Sequence, residues 1–145
     1  MYLVDTNVIS AAAPSRPPLP ALVEWMDAHS NSLFMSAVTV AEVEDGIAKL
    51  RREGAARKSA DLTAWLETVL HLYGDRILAF DAATARIAGG LSDRARGLGH
   101  APGLADIIIA ATAHNHELTI LSRNIRHLEP LGVPAIDPFV KLPPS

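Results

Sequence analysis

The sequence contains no cysteine among its 145 residues. Disulfide bonds and thiolate metal sites are therefore excluded, and any metal ion has to be held by oxygen or histidine ligands. The most apolar stretch, Leu104 to Ala113, is interrupted by Asp106 and is far shorter than the ~20 residues of a membrane-spanning helix. The N-terminus lacks a basic stretch followed by an apolar region, so no secretion signal is expected. We therefore expect no membrane span and, by default, a cytoplasmic location.

The sequence also lacks an excess of basic residues. Its 13 Lys and Arg are outnumbered by 16 Asp and Glu, which gives a net charge of −3. Proteins that bind phosphate backbones are usually basic, although bound divalent cations can reverse the local field. The motifs of P-loop NTPases and serine hydrolases, GxxxxGK[ST] and GxSxG, do not occur. These two enzyme classes therefore have no support.

What is present is an ordinary globular composition, with 49% hydrophobic and 20% charged residues. A chain of this length and composition is expected to bury one continuous core rather than to stay disordered. No internal repeat, low-complexity tract or linker is visible. We therefore expect a single domain over residues 1–145.

Short apolar runs and helical periodicities alternate along the chain. The runs predict five strands, at Tyr2–Val4, Leu33–Met35, Ile77–Phe80, Thr119–Leu121 and Pro134–Ile136. The periodicities predict seven helical segments. The first three begin at Thr6, cover Ala21–His29, and run from a cap at Ser36 or Thr39 to about Arg52. The next three include Leu62–Tyr73, run from a cap at Asp81 to about Gly97, and cover Gly103–His116, and the last is a short turn at Ile125–Leu128. Prolines mark a loop over residues 14–20. This order is typical of an α/β fold with a mostly parallel sheet and helices on both faces, in which ligands bind at the carboxyl ends of the strands.

Two carboxylates lie near predicted helix starts. Asp5 follows the first strand, where it can cap a helix or bind a metal at the carboxyl end of a central strand. Glu42 completes the pattern Thr39-x-x-Glu42, which is typical of a capping box. Glu44 and Asp45 compete with Glu42 for a functional role, and the helical periodicity does not choose between them.

Asp106 is the most informative acid because it interrupts an almost unbroken apolar segment. An unpaired charge there is costly, so a partner is expected. A helix dipole is one candidate partner, and a metal ion is another. Three carboxylates facing one edge of the sheet, without matching buried cations, favour a divalent metal such as Mg²⁺ or Mn²⁺.

Three blocks of the sequence together resemble the PIN-domain ribonucleases, and among them the VapC-type toxins of toxin–antitoxin pairs. The blocks are YLVDTNVI at 2–9, SAVTVAE at 36–42, and ADIIIAATA at 105–113 followed by LSRN at 121–124. The resemblance spans nearly the whole chain and implies a single PIN domain. It also implies an endoribonuclease that hydrolyses phosphodiester bonds of tRNA, rRNA or mRNA with Mg²⁺ or Mn²⁺.

The resemblance places the acidic metal ligands on Asp5, Glu42 and Asp106 and a conserved hydroxyl on Ser122. The family often has a fourth acid in or just after the last block, where this chain has Asn124 and, three residues on, His127. Asn124 is therefore expected to bind a metal-held water, and a strict two-metal mechanism is in doubt. The resemblance further implies a homodimer and a cognate VapB-type antitoxin as partners.

Other interpretations stay open at this point. Asp5 could be the nucleophile of a haloacid-dehalogenase-like phosphatase, although these enzymes generally carry a second aspartate where this chain has Asn7. A PIN-like binding module with weak catalysis is a second alternative. His114 and His116 are two residues apart on a helix and are expected at the surface rather than in a zinc site. A basic cluster, which either guides RNA or is a solvated helix end, comprises Lys49, Arg51, Arg52, Arg57 and Lys58.

Overall fold

The computed structural model describes residues 1–14 and 16–144. Its strands are β1 (Tyr2–Val4), β2 (Leu33–Ser36), β3 (Ile77–Leu78), β4 (Thr119–Leu121) and β5 (Ala135–Ile136). Its α-helices are α1 (Thr6–Ala11), α2 (Pro20–Ala28), α3 (Ala37–Arg52), α4 (Ala56–Tyr73), α5 (Ala82–Gly97), α6 (Leu104–Asn115) and α7 (Ile125–Leu128). Short 3₁₀ helices lie at Ser30–Ser32, Gly74–Arg76 and Glu129–Leu131. The predicted elements are therefore confirmed in type and order.

The five strands form one sheet in the order β3-β2-β1-β4-β5, and every neighbouring pair is parallel. The first strand thus lies at the centre, with Leu3 opposite Phe34 on one side and Ile120 on the other. The predicted fold class, an α/β fold with a parallel sheet of five strands, is confirmed. Because the strands are parallel, all their carboxyl ends meet at one edge of the sheet.

The core consists of two apolar clusters, one on each face of the sheet. Successive residues of a strand point to opposite faces. Leu3 and Ile120 therefore pack with α5 and α6 in one cluster, whereas Val4 and Leu121 pack with α1 and α2 in the other. All four side chains have no solvent-exposed surface, and the central strands are apolar on both faces, as expected for a parallel sheet.

Several element boundaries differ from the sequence predictions, among them those of the predicted loop over 14–20 and of the third strand. The predicted loop over 14–20 ends at Leu19, because Pro20 occupies the first turn of α2, where a backbone N–H has no helical hydrogen-bond partner in any case. Ser15 of that loop and Ser145 of the predicted domain lie outside the described residues. The third strand stops at Leu78 and does not reach Phe80. It is an edge strand with β2 as its only neighbour, and the side chain of Phe80 is 42% exposed.

The predicted capping box at Thr39 and Glu42 is wrong. Ser36, the last residue of β2, caps α3, and its hydroxyl accepts a hydrogen bond from the backbone N–H of Val38 at 3.1 Å. Thr39 is buried inside the first turn instead. Glu42 is therefore free of a capping role and available for another one.

Within residues 1–14 and 16–144, no helix has the length and apolar character needed to cross a membrane.

Candidate active site

Asp5 occupies the carboxyl end of the central strand and is only 5% exposed. Its backbone is extended and its carboxylate caps α1, accepting a hydrogen bond from the N–H of Thr6 at 2.8 Å. The backbone N–H of Asp5 donates to the carbonyl of Leu121 at 2.9 Å, which continues the β1–β4 pairing by one residue. The capping role predicted for Asp5 is thus present, and it uses only one of the two carboxylate oxygens.

The second oxygen of Asp5 is held by side chains from the loop after β4. The hydroxyl of Ser122, a fully buried side chain, donates to Oδ2 of Asp5 at 2.6 Å. The hydroxyl oxygen of Ser122 in turn accepts a hydrogen bond from the backbone N–H of Asn124 at 2.9 Å. Ser122 therefore orients the carboxylate and fixes the start of α7 at the same time.

Asn7 closes this network from α1. Its amide nitrogen lies 3.3 Å from Oδ2 of Asp5 and 3.2 Å from the hydroxyl of Ser122. Its amide oxygen accepts a hydrogen bond from the backbone N–H of Arg123 at 3.0 Å. One side chain thus ties the ends of β1 and β4 together, a role that the sequence analysis did not assign to Asn7.

Glu42 lies on α3, one turn beyond its start, and reaches the site through Thr6. The hydroxyl of Thr6 donates to Oε1 of Glu42 at 2.7 Å and lies 3.0 Å from the hydroxyl oxygen of Thr39. Glu42 is exposed, so its carboxylate is positioned by this hydrogen bond rather than by burial. Glu44 and Asp45 make no comparable contact with α1 among the described residues.

Asp106 lies in the first turn of α6, with 21% of its side chain exposed. It does not directly follow a strand, because the whole of α5 separates it from β3. It reaches the carboxyl edge because the other end of α6 connects through residues 116–118 to the start of β4, so that the amino end of α6 points back to the site. Its partner in the structure is Nδ1 of His127, 3.8 Å from Oδ2.

The pKa of Asp106 is raised above the ordinary value for an aspartic acid. The largest cause is desolvation by burial, the second is the negative charge of Asp5, and the imidazole of His127 acts in the opposite direction. A carboxylate that feels a neighbouring carboxylate is harder to ionise. The negative charge of Asp5 therefore reaches Asp106.

The chemistry of these side chains fits a divalent cation. In the described part of the chain, the only ion pair at Asp5 or Asp106 is the one with His127, so the negative charge of the site is not neutralised by Lys or Arg. Carboxylate oxygens are the ligands that Mg²⁺ and Mn²⁺ prefer. No three His, Asp or Glu side chains among the described residues already stand at ligand spacing, however. Binding an ion by three of these side chains thus requires a side-chain rotation.

Two cavities adjoin the acidic site. One, of about 380 Å³, begins at Thr6 and Glu42 and extends between α3 and α4. Its wall combines apolar side chains with the basic Arg16, Lys49 and Lys58 and with Trp65. The other, of about 480 Å³, is lined by residues of the loop after β4 and of α7, including Arg123, Arg126 and His127.

The structure thus joins Ser122 to Asp5 by a hydrogen bond, places Asp106 within reach of the charge of Asp5, and connects Glu42 to Thr6, the residue after Asp5. Asn124 is exposed and makes no side-chain capping bond with α7, and His127 rather than Asn124 approaches Asp106. His114 and His116 are both exposed, as predicted. The predicted basic cluster is exposed too, and two of its five residues, Lys49 and Lys58, line the cavity that begins at Glu42.

Sequence reasoning missed Asn7, Thr6 and His127 as members of the site. Only the closeness of Thr6 and Asn7 to Asp5 in the sequence could have drawn attention to them. Asn7 also removes the support for a phosphatase with Asp5 as nucleophile, because an amide bonded to three neighbours stands where such enzymes generally carry a second aspartate.

The comparisons with known proteins agree with this architecture. The family model described as "PIN domain" matches residues 2–130. The chain is 37% identical over 142 residues to "Toxin FitB" of Neisseria gonorrhoeae, with 96% of this chain and 99% of that protein covered. It is 34% identical over 141 residues to "VapC ribonuclease Y4jK" of Sinorhizobium fredii, with 96% and 98% covered.

Among solved structures, the crystal structure of FitAcB from Neisseria gonorrhoeae matches with a TM-score of 0.84 and 37% identity. The match covers 96% of this chain and 99% of that one. The expected resemblance is therefore confirmed over almost the whole described length. The chain belongs to the PIN domain family, in the group of FitB-type and VapC-type proteins that these relatives represent.

Proposed function

We propose that the chain is a metal-dependent endoribonuclease that acts as the toxin of a toxin–antitoxin pair. The observation that carries the proposal is the juxtaposition of Asp5 and Asp106: the negative charge of Asp5 raises the pKa of Asp106, and neither acid has a Lys or Arg partner among the described residues. Membership of the PIN family and similarity to a protein named VapC ribonuclease support a nuclease. The alternative of a binding module with weak catalysis is decided by the first experiment below.

In this proposal the metal ligands are Asp5, Asp106 and Glu42. A bound Mg²⁺ or Mn²⁺ supplies an activated water and stabilises negative charge on the phosphate. Ser122 holds Oδ2 of Asp5 in place through its 2.6 Å hydrogen bond. Thr6 performs the same task for Glu42. Asn124, exposed in the loop after β4, would orient a water molecule of that ion.

The RNA strand is proposed to run along the cavity that begins at Thr6 and Glu42. Lys49 and Lys58 in its wall attract phosphates, and Trp65 offers an aromatic surface on which a base can stack. The ammonium group of Lys49 also forms an exposed ion pair with the carboxylate of Glu53, at a distance of 4.0 Å. Such pairs are weak and are easily given up to a phosphate. This arrangement explains how a chain with a net charge of −3 can bind RNA.

The partners are proposed to be a second copy of the chain and a VapB-type antitoxin. The relative in the solved structure is described as FitAcB, and the curated relative of the same organism is named a toxin. Around the acidic site, Leu98 and Leu104 flank the loop between α5 and α6 and are 63% and 71% exposed. Exposed apolar side chains of this size favour a protein contact.

Replacement of Asp5 by Asn tests the nuclease directly. The variant keeps the shape of the side chain but removes the charge that binds a cation. We expect the wild-type chain to cleave a mixed tRNA and rRNA pool with Mn²⁺ or Mg²⁺ and not with EDTA, and the variant to be slower by about 100-fold or more. The measurement is the initial rate of cleavage on denaturing gels.

The matched control is Asp75→Asn. Asp75 is exposed and precedes β3, at the opposite edge of the sheet, so this variant should cleave at the wild-type rate. Equal inactivity of the wild-type chain and both variants would favour the binding module, and equal activity of all three would remove Asp5 from the metal site.

Replacement of Asp106 by Asn tests the electrostatics of the site without substrate. The pKa of Asp106 is raised in the folded chain, so its ionisation destabilises the fold at a pH above the unfolded value of about 4. At pH 7.5 in EDTA we expect the variant to melt about 1–3 °C higher, a small gain because solvent screens a half-buried carboxylate.

The pH dependence of the difference in melting temperature between Asp106→Asn and the wild type checks the sign of this prediction. When the pH falls well below about 4, the wild-type carboxyl is protonated in both the folded and the unfolded state, and the gain should disappear. The measurement is a thermal melt at both pH values, with Asp75→Asn as the reference. A melting temperature that falls at pH 7.5 would show that ionised Asp106 is stabilised in the folded chain, against the proposal of an uncompensated acidic site.

Asn7→Ala tests the network that positions Asp5. The variant removes the amide that joins Asp5, Ser122 and the backbone of Arg123. Loss of such a supporting contact typically weakens metal binding about 10- to 100-fold. We expect the dissociation constant for Mn²⁺, measured by titration calorimetry, to rise by at least about 10-fold.

Asn31→Ala is the control, because Asn31 is exposed and lies in the 3₁₀ helix before β2, away from the carboxyl edge. A merely structural role for Asn7 would lower the melting temperature and leave the Mn²⁺ dissociation constant unchanged.

Sedimentation velocity tests the proposed dimer. The chain has a mass of 15.5 kDa, and we expect a species of about twice this mass, since symmetric dimers are the commonest soluble oligomers. Leu98→Asp and Leu104→Asp should shift it towards the monomer if the exposed pair lies in this contact. A dimer unaffected by both changes would place the two leucines outside the dimer contact and favour the antitoxin as their partner. The antitoxin itself is identified by its suppression of cleavage at one antitoxin per active site. A monomer at assay concentration would contradict the dimer.

A further inference from the structure

Among the residues that the structure describes, His127 is the imidazole that lies beside the acidic site. It lies on α7, the short helix after β4, and α7 packs against α6, which carries Asp106. Nδ1 of His127 is 3.8 Å from Oδ2 of Asp106. Two separate segments of the chain thus deliver a nitrogen donor and an oxygen donor to the same place.

The distance between these atoms is too long for a direct hydrogen bond, whose N···O separation is at most about 3.2 Å. It is near the spacing of two ligands of a shared ion. With metal–ligand bonds of about 2.1 Å, two donor atoms would lie about 3.0 Å apart at right angles and about 4.2 Å apart on opposite sides of the ion. The observed 3.8 Å equals neither value, but a small rotation of the exposed imidazole brings the two atoms to either spacing.

The surroundings of His127 leave its ring free to bind an ion. Its side chain is 66% exposed, so it is not part of the core and can rotate at small cost. It lines the 480 Å³ cavity after β4 with residues of both charges, namely Arg123, Arg126, Glu129 and Asp137. The short contact of His127 that the structure shows is with Asp106 rather than with any of these residues.

We propose that His127 is a nitrogen ligand of the metal site. Compared with a site made of three carboxylates alone, this site then has a stronger preference for nitrogen-accepting transition ions over Mg²⁺. The inference rests on the metal dependence proposed above. Mg²⁺ takes oxygen ligands almost exclusively, whereas first-row transition ions also accept imidazole. Mn²⁺ is the probe of choice because it suits both donor types and is paramagnetic.

The direct test is electron spin echo envelope modulation of Mn²⁺ bound to the full chain. A coordinated imidazole gives a ¹⁴N modulation that carboxylate and water ligands cannot give. We expect this modulation in the wild-type protein and in His114→Ala, and its loss in His127→Ala. His114 is a matched control because it is exposed and lies at the far end of the same helix as Asp106.

Titration calorimetry gives an independent readout. His127→Ala should raise the Mn²⁺ dissociation constant about 10-fold and change that of Mg²⁺ by less than about twofold. His127→Asp should restore tight binding and shift the preference towards Mg²⁺, because it replaces nitrogen by oxygen. Since the side chain is exposed, all these variants are expected to fold, and thermal melts in EDTA check this.

The possible failures are distinguishable. Bound Mn²⁺ without a ¹⁴N modulation, or with one that survives His127→Ala, would overturn the role of His127 and leave the metal-dependent nuclease intact. No Mn²⁺ binding that depends on Asp5 would overturn both proposals.

Discussion

The parallel pairing of β1 between β2 and β4 is the constraint on which the site depends. The carboxyl ends of parallel strands all lie at one edge of the sheet. At this edge the central strand β1 has a neighbouring strand on each side. Asp5 directly after β1 and Ser122 directly after β4 therefore come within hydrogen-bonding distance although they are 117 positions apart. The register that pairs Val4 with Leu121 sets this distance, and the buried side chains of both faces hold the register.

The ionised form of Asp106 is disfavoured at this edge of the sheet. Asp5 is almost fully buried, and its charge makes the ionisation of Asp106 less favourable. Hydrogen bonds from Ser122, Asn7 and the N–H of Thr6 compensate Asp5, whereas Asp106 has only an imidazole at 3.8 Å. Such an uncompensated group in a folded site is typical of function rather than of stability.

The sequence predicted the strands, the order of the helices and the position of Asp5, because these depend on local periodicity and on the geometry of parallel sheets. It singled out Asp106 because an acid inside an apolar segment needs a partner. For Glu42 the local motif favoured a capping box, and only the family resemblance selected it as a site residue; the structure has a hydrogen bond from Thr6, 36 positions away. The alternation of strand residues says nothing about such a contact.

The remaining side chains of the site could not have been predicted for a related reason. Asn7 contacts Ser122 and Arg123 only because β1 and β4 pair in a particular register, and His127 faces Asp106 only because α7 packs on α6. Their polar side chains occur in many helices without any function. The acids of the site can be found from their cost in an apolar sequence, but the groups that orient them are ordinary polar residues. Only their distances in the folded chain distinguish them, and in the proposed metal site these same groups would decide which ion the acids hold and how firmly.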